Sequence, residues 1–271
     1  MFSLLTLNIC HGLPADRFRM DRLAFMISSI KDRRDEFSIV LLQEIFRGLP
    51  IGDALSALKS ELGRFYHISY ARAGGRMPLC EVGQATLSRF PVLRQRKYPV
   101  PSGRYRCILF TEIAAPGCRL HVYNAHIGGT VQEMGEVFAL ADRLRAPEAM
   151  DIIMGDLNWD YRHERRHLIL SELYGFTVAG SGPTATLADN LSPCAAYGEA
   201  IDFGLYRNGP ADMTVRARRV LTGHVQGRRM SDHAGVVCTF VRQPFAAGDT
   251  VFPHEARAWV PPALDSPALP R

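Results

Sequence analysis

Asp151-Ile152-Ile153-Met154-Gly155-Asp156-Leu157-Asn158-Trp159-Asp160 is the stretch from which the rest of the chain is read. Residues 152–154 form a short apolar run that predicts a buried strand, and it ends abruptly on Gly155, Asp156 and Asn158. Ligands and catalysis collect where the strands of an α/β sheet end. Asp156 and Asn158 stand two positions apart, so on extended backbone both side chains project to one side. A strand followed by an Asx-type turn is the competing account. The flanking sequence decides between them.

Working upstream, Thr130-Val131-Gln132-Glu133 is a capping box that opens a helix to about 145, with Val131, Met134, Phe138, Ala141 and Leu144 on its buried face. Before it, residues 108–113 and 120–125 read as a hairpin around Pro116-Gly117, and the second strand carries Asn124 and His126 at its end. Short strands are predicted over 65–70, 82–88 and 95–100. A helix over 53–62 stops at Gly63. Residues 38–42 form an apolar strand running into Gln43-Glu44, and 4–9 a first strand ending at Asn8. Between these two, Asp16 caps a helix to about 34 that buries Leu23, Met26, Ile27 and Ile30.

Downstream, a helix over 163–174 closes on Gly175, and a loop rich in Gly, Ser, Thr, Asn and Pro covers 179–198. Strands over 201–206, 213–221 and 235–241 complete the series. The order mixes αβ units with hairpins, which implies an α/β fold with a mixed pair of sheets enclosed by helices. No linker composition interrupts 1–243, which reads as one domain. Residues 244–271 are proline-rich and aperiodic, a tail.

The 271 residues suffice for one large core, and 47% hydrophobic with 22% charged residues is ordinary for a globular protein. A net charge of +5, carried mostly by Arg, fits a phosphate-bearing or anionic-surface partner. The six cysteines show no CxxC pair and no zinc spacing, so they read as free, buried thiols in a reducing compartment. No signal peptide and no apolar run of membrane-spanning length is visible. The expectation is a cytoplasmic monomer.

Polar clusters punctuate five predicted strand ends: Asn8, Gln43-Glu44, Asn124/His126, Asp156/Asn158 and Asp232-His233. Asp202 opens a sixth strand. One such cluster carries no weight, because a lone His or Glu is usually structural or solvated. Recurrence at the same kind of place is harder to assign to structure alone. Carboxylate and amide oxygens without thiolates suit a hard cation, Mg²⁺ or Mn²⁺. A cation of this kind together with His, Asp and Asn serves phosphodiester hydrolysis, which needs an activated water, charge neutralisation and a protonated leaving oxygen.

Leu7-Asn8, Leu42-Gln43-Glu44, Gly83-Gln84-Ala85-Thr86-Leu87-Ser88-Arg89-Phe90-Pro91, Asn124-Ala125-His126, Gly155-Asp156-Leu157-Asn158, Ile201-Asp202-Phe203 and Ser231-Asp232-His233 follow one another in order. In this the chain resembles the endonuclease/exonuclease/phosphatase superfamily. The resemblance implies a four-layer α/β/β/α sandwich of two mixed sheets flanked by helices, with the site at one edge. It implies Glu44 as principal Mg²⁺ ligand with Asn8 and Asp232 nearby, and Asp156 and Asn158 orienting water and phosphate. It further implies His233, oriented by Asp202, as base or phosphate contact, and His126 as phosphate contact or acid. Asn124, Arg228 and Arg229 are expected to meet substrate. Leu157, Phe203 and Gly235 depart from the usual pattern, the last where Pro is common.

Pro183-Thr184-Ala185-Thr186-Leu187-Ala188-Asp189-Asn190-Leu191-Ser192, ahead of Ile201-Asp202, is similar to the bacterial sphingomyelinase branch. That implies a phospholipid headgroup diester as substrate. DNA or RNA is the alternative, with the basic runs at 162–167 and 216–219 tracking a phosphate backbone, and a small-molecule phosphate ester is a further one. Phe245, Phe252 and Trp259 in the tail read as packing on the body rather than as a membrane contact.

Overall fold

The computed structural model describes residues 1–9, 18–48, 52–77, 80–100, 106–159, 165–180, 201–225 and 228–242; for 75–77, 80, 165–168 and 228–229 this covers the backbone alone. The elements follow in the order β1 (Phe2–Asn8), α1 (Arg19–Asp32), β2 (Ile39–Gly48), β3 (Gly52–Asp53), α2 (Ala54–Leu62), β4 (His67–Met77), β5 (Cys80–Ser88), β6 (Val92–Pro99), β7 (Cys107–Ala115) and β8 (Cys118–His126). After these come α3 (Val131–Arg143), β9 (Ala149–Asp156), α4 (Arg165–Leu173), β10 (Thr177–Val178), β11 (Asp202–Arg207), β12 (Met213–Val220), β13 (His224–Val225), β14 (Arg228–Arg229) and β15 (Gly235–Arg242).

One sheet runs β12-β15-β1-β2-β5-β4, with β3 on the end of β2, and the other runs β10-β11-β9-β8-β7-β6. Among the described residues each sheet has one parallel pair, β1 with β2 and β8 with β9. A parallel pair needs a crossover, and α1 and α3 supply it. The rest of each ladder is antiparallel, so both sheets are mixed.

The core has three apolar layers. On one outer face Leu23, Met26, Ile27 and Ile30 of α1 and Leu55, Leu58 and Leu62 of α2 cover Leu5, Leu7, Val40 and Leu42. On the other, Met134, Val137 and Phe138 of α3 cover Tyr123, Ile153 and Leu205. Between the sheets lie Leu4, Ile39, Leu41, Val122, Ile152, Met154 and Phe240. Both faces of the central strands are therefore buried, which is why β1 and β9 read as nearly unbroken apolar runs. The result is the α/β/β/α sandwich.

Several boundaries differ from expectation. α1 starts at Arg19, after Phe18, which makes no side-chain cap; Asp16 lies outside the described residues. The capping box of Thr130 and Glu133 forms and starts α3, yet Val131 is 45% exposed and Val137 and Leu140 take the inward positions. The capping pair faces the helix end, so the inward stripe begins one turn later. Gly63 ends α2 with φ −61, where glycine answers to space, since a Cβ would strike the Lys59 carbonyl, whereas Gly175 has φ +71 and uses its conformational freedom. Cys107 and Cys238 are buried free thiols and Cys118 is free and partly buried. Cys10 and Cys194, the 181–198 part of the 179–198 loop and the tail with Phe245, Phe252 and Trp259 lie outside the described residues.

Candidate active site

The four parallel strands end together. β1 and β2 align Asn8 with Gln43, and β8 and β9 align His126 with Asp156. On the next strand Asp202 of β11 aligns with Asp156. His126, Asp156 and Asp202 thus form one row across three neighbouring strands. Their parity is that of Val122, Met154 and Gly204, so they face the space between the sheets. The inner face turns from apolar to polar toward this edge: Leu4, Thr6, Asn8 on β1; Val122, Asn124, His126 on β8; Ile152, Met154, Asp156 on β9.

Glu44 arrives by a break in the ladder. The β2–β5 register slips between Leu42 and Ile45, and Glu44 has φ +59. Without this β-bulge, alternation would aim Glu44 at the α1/α2 core beside Val40 and Leu42. The extra residue lets Ile45 take that place and turns the carboxylate outward. Glu44 Oε1 and Asp156 Oδ2 then converge on Asn8 Nδ2, at 3.2 and 2.9 Å. His126 Nε2 lies 3.5 Å from Asp156 Oδ2 and 4.0 Å from Glu44 Oε1.

Opposite stands His233. Its Nδ1 is 2.7 Å from Asp202 Oδ2, which leaves Nε2 at 3.8 Å from both Asp156 Oδ2 and Asp232 Oδ1. Burial alone would push the imidazole toward neutrality. The carboxylates of Asp202, Asp156 and Asp232 outweigh it and hold His233 well above its usual 6.5. The turn that carries Asp232 and His233 is tied down by Ser231, whose hydroxyl donates to the Asn8 carbonyl at 2.6 Å and accepts from the His233 N–H at 3.1 Å.

The opening stretch satisfies both of its accounts. Asp156 Oδ1 accepts from the Asn158 N–H at 3.1 Å, an Asx turn, while Oδ2 faces the site. Asn158 does not project alongside Asp156: at φ +49 it leaves extended geometry, and its Nδ2 donates to the Ile127 carbonyl at 2.8 Å. Gly155 is required because a Cβ there would strike the Ala125 carbonyl of β8. Gly129, at φ +76, packs against the Asn158 carbonyl in the same way.

Asn124 is corrected. It is 0% exposed and bonded within the protein, so it lies behind the site and does not meet substrate. Depth explains this: Asn124 shares the face of His126 but lies one row deeper, under the opposite sheet. The side chains of Arg228 and Arg229 lie outside the described residues, as does the run at 162–167. Of the run at 216–219, Arg218 pairs with Glu36 at 2.6 Å, at the end of the sheet remote from the site. Sequence reading assigned no role to Ser231, Gly129 or Trp159, whose ring packs edge-on against Phe203 at 5.1 Å behind Asp156. Ser231 adjoins Asp232-His233, and that adjacency was its signal.

The donor set fits a cation. Two carboxylate oxygens converge on an amide N–H, the partial positive charge that an ion would replace. Asp156, Asp202 and His233 also offer donor atoms within 4.8 Å of one another. Such a cluster can hold a divalent ion, orient a water and donate a proton to an oxyanion.

A comparison with curated proteins finds no match. Among solved structures, an endonuclease/exonuclease/phosphatase family protein from Leptotrichia buccalis C-1013-b superposes with TM-score 0.70 at 14% identity, over 89% of this chain and 100% of that one. TDP2 of D. rerio, complexed with a single-strand DNA product, gives 0.67 at 17%, over 89% and 98%. Sphingomyelinase C from Streptomyces griseocarneus gives 0.67 at 18%, over 88% and 98%. These likenesses establish the fold. The Endonuclease/Exonuclease/phosphatase family model matches residues 5–254, and with the ordered strand-end residues now in one cleft, the chain belongs to that family.

Proposed function

We propose that this protein is a Mg²⁺-dependent phosphodiesterase that hydrolyses its substrate by attack of an activated water. The observation that carries this reading is the convergence of Glu44 and Asp156 on Asn8, flanked by His126 and the Asp202–His233 pair. Glu44, with Asn8 and Asp232 nearby, would hold the ion, since Mg²⁺ favours oxygen donors. Asp202 orients the ring of His233 through Nδ1, and an imidazolium has no lone pair to offer an ion, so His233 would serve as a proton-handling group. The ion, when bound, supplies positive charge to the phosphoryl oxygens and lowers the pKa of water. Asp156 would accept from the attacking water and orient it. His233, favoured as imidazolium by its three carboxylates, donates from Nε2 to a phosphoryl oxygen. His126 would contact the phosphate or protonate the leaving oxygen.

The favoured substrate is a phospholipid headgroup diester, supported by the sphingomyelinase-like stretch at 183–192. A nucleic-acid strand is the second reading, favoured by the DNA product held by D. rerio TDP2. Hydrolysis of sphingomyelin and phosphatidylcholine liposomes is compared with that of plasmid and single-stranded DNA, with Mg²⁺, Mn²⁺ or EDTA, for wild type, Glu44→Ala and His233→Ala. Lipid cleavage that needs the ion and both residues supports the proposal. DNA cleavage with intact lipid reverses the substrate ranking. Turnover that survives EDTA and both substitutions removes the metal-site reading.

A further inference from the structure

Beneath the carboxylates and imidazoles lies a second polar layer closed to solvent. Thr6, Gln43 and Asn124 are each 0% exposed. Asn124 reaches from β8 across to the other sheet, where its Nδ2 donates to the carbonyls of Ala85 at 2.9 Å and Leu42 at 3.3 Å. Its Oδ1 accepts from Gln43 Nε2 at 2.8 Å, and Gln43 Nε2 also lies 3.0 Å from Thr6 Oγ1. Leu42 and Ala85 are the last aligned pair before the β2–β5 ladder slips. A bulge opens the ladder locally, and an unpaired buried carbonyl is costly. A donor to both carbonyls comes from the opposite sheet, at the slip that turns Glu44 outward.

Packing alone does not call for amides here. One row deeper the same inner faces carry Val122 and Leu41, which fill the space without a buried polar group. A buried polar set specifies one arrangement because every member must find its partner. Gln43 adjoins Glu44 in the chain, and Asn124 precedes His126 by two positions on the same face.

We propose that Asn124 and Gln43 are a positioning pair: they pin the Glu44 bulge of one sheet to strand β8 of the other. This fixes the spacing of Glu44 from Asp156 and His126. In its effect on turnover the inference rests on the phosphodiesterase reading above.

The test compares Asn124→Leu, which keeps the branched shape without the polar atoms, with Tyr123→Phe. Tyr123 faces the other side of β8, where its hydroxyl donates to Asp151 at 3.3 Å, so its loss samples stability without touching the bulge. Melting midpoint, Mn²⁺ affinity by calorimetry, kcat, KM and the backbone amide signals of Glu44 and Ile45 are measured for each. In Asn124→Leu the expected result is a loss of about 10–100-fold in kcat and in Mn²⁺ affinity, the range for displaced supports of a metal site. KM stays within about twofold, and the Glu44 and Ile45 signals shift. In Tyr123→Phe the midpoint falls while the other readouts stay within about twofold of wild type. Asn124→Leu with unchanged kcat, Mn²⁺ affinity and Glu44 signals overturns the proposal. If Asn124→Leu does not fold, Gln43→Met is judged by the same criteria. A wild type that neither binds Mn²⁺ nor turns over overturns the proposed function, and the Glu44 and Ile45 signals still decide the positioning.

Discussion

Asp202 Oδ2 lies 2.7 Å from His233 Nδ1, and the two residues belong to different sheets. Asp202 opens β11 of one, and His233 lies just ahead of β15 of the other. The bond therefore fixes the orientation of the imidazole ring and spans the cleft at once.

Replacing Asp202 by Asn should lower the titration midpoint of His233, because Asp202 is the foremost of the carboxylates that raise it. The imidazole NMR signals of the chelated protein measure this. The sign for stability follows from linkage: a folded value above the unfolded one contributes fully below about 6.5 and is lost as pH rises toward the folded value. The wild type should thus lose stability with rising pH in that window. Asp202→Asn should show a shallower slope in melting temperature, and an equal slope would contradict the assignment.

Glu44→Gln should reduce kcat by about 10²–10³-fold, the range for removing one group that manages transition-state charge. It should leave the chelated protein at least as stable as wild type, because two carboxylates no longer meet at Asn8. Thermal melts and steady-state kinetics report the two effects separately. A large loss of stability would mean that Glu44 serves the core instead.

Gly155→Ala should cost about 1–3 kcal/mol, since a Cβ strikes the Ala125 carbonyl and pushes β8 from β9. His126 and Asp156 are a register pair on those strands, so turnover per folded molecule should fall too. Urea denaturation with active-site titration gives both numbers.

Arg207→Met tests the opposite case. Arg207 is buried on the helix-covered face, bonded to Asp151 at 2.7 Å, Asp142 at 3.1 Å and the Tyr174 carbonyl at 3.0 Å. Breaking this set leaves Asp151 buried without its cation and should cost about 3–5 kcal/mol. Turnover per folded molecule should match wild type, because the network lies at the far end of β9. A proportionate loss of kcat would show that the two ends are coupled.

Much of this was legible in the residues. Strand ends and apolar periodicity located Asn8, Glu44, His126, Asp156, Asp202 and His233, because burial on both faces leaves polar side chains conspicuous at a strand's end. Depth was not legible. Asn124 and His126 share parity, and which of them reaches the cleft depends on where the opposite sheet stops. The bulge at Gln43-Glu44 was hidden as well, since an extra residue looks like any other until the ladder is traced. Asn158 misled because alternation holds only while the backbone stays extended, and the Asx turn ends that at Asp156.

The cleft is shared between two sheets whose contributing residues are far apart along the chain: Asn8 and Asp156 by 148 positions, Ser231 and Asn8 by 223. Closing loops of that length comes late in folding. The β1–β15 ladder closes one such loop and the docking of the two sheets another, so recovery of most secondary structure does not announce a working site. After dilution from denaturant, turnover should lag the far-ultraviolet signal and keep pace with sheet docking. A nascent chain can hold nearly all its strands and still be inert until β15 brings His233 across.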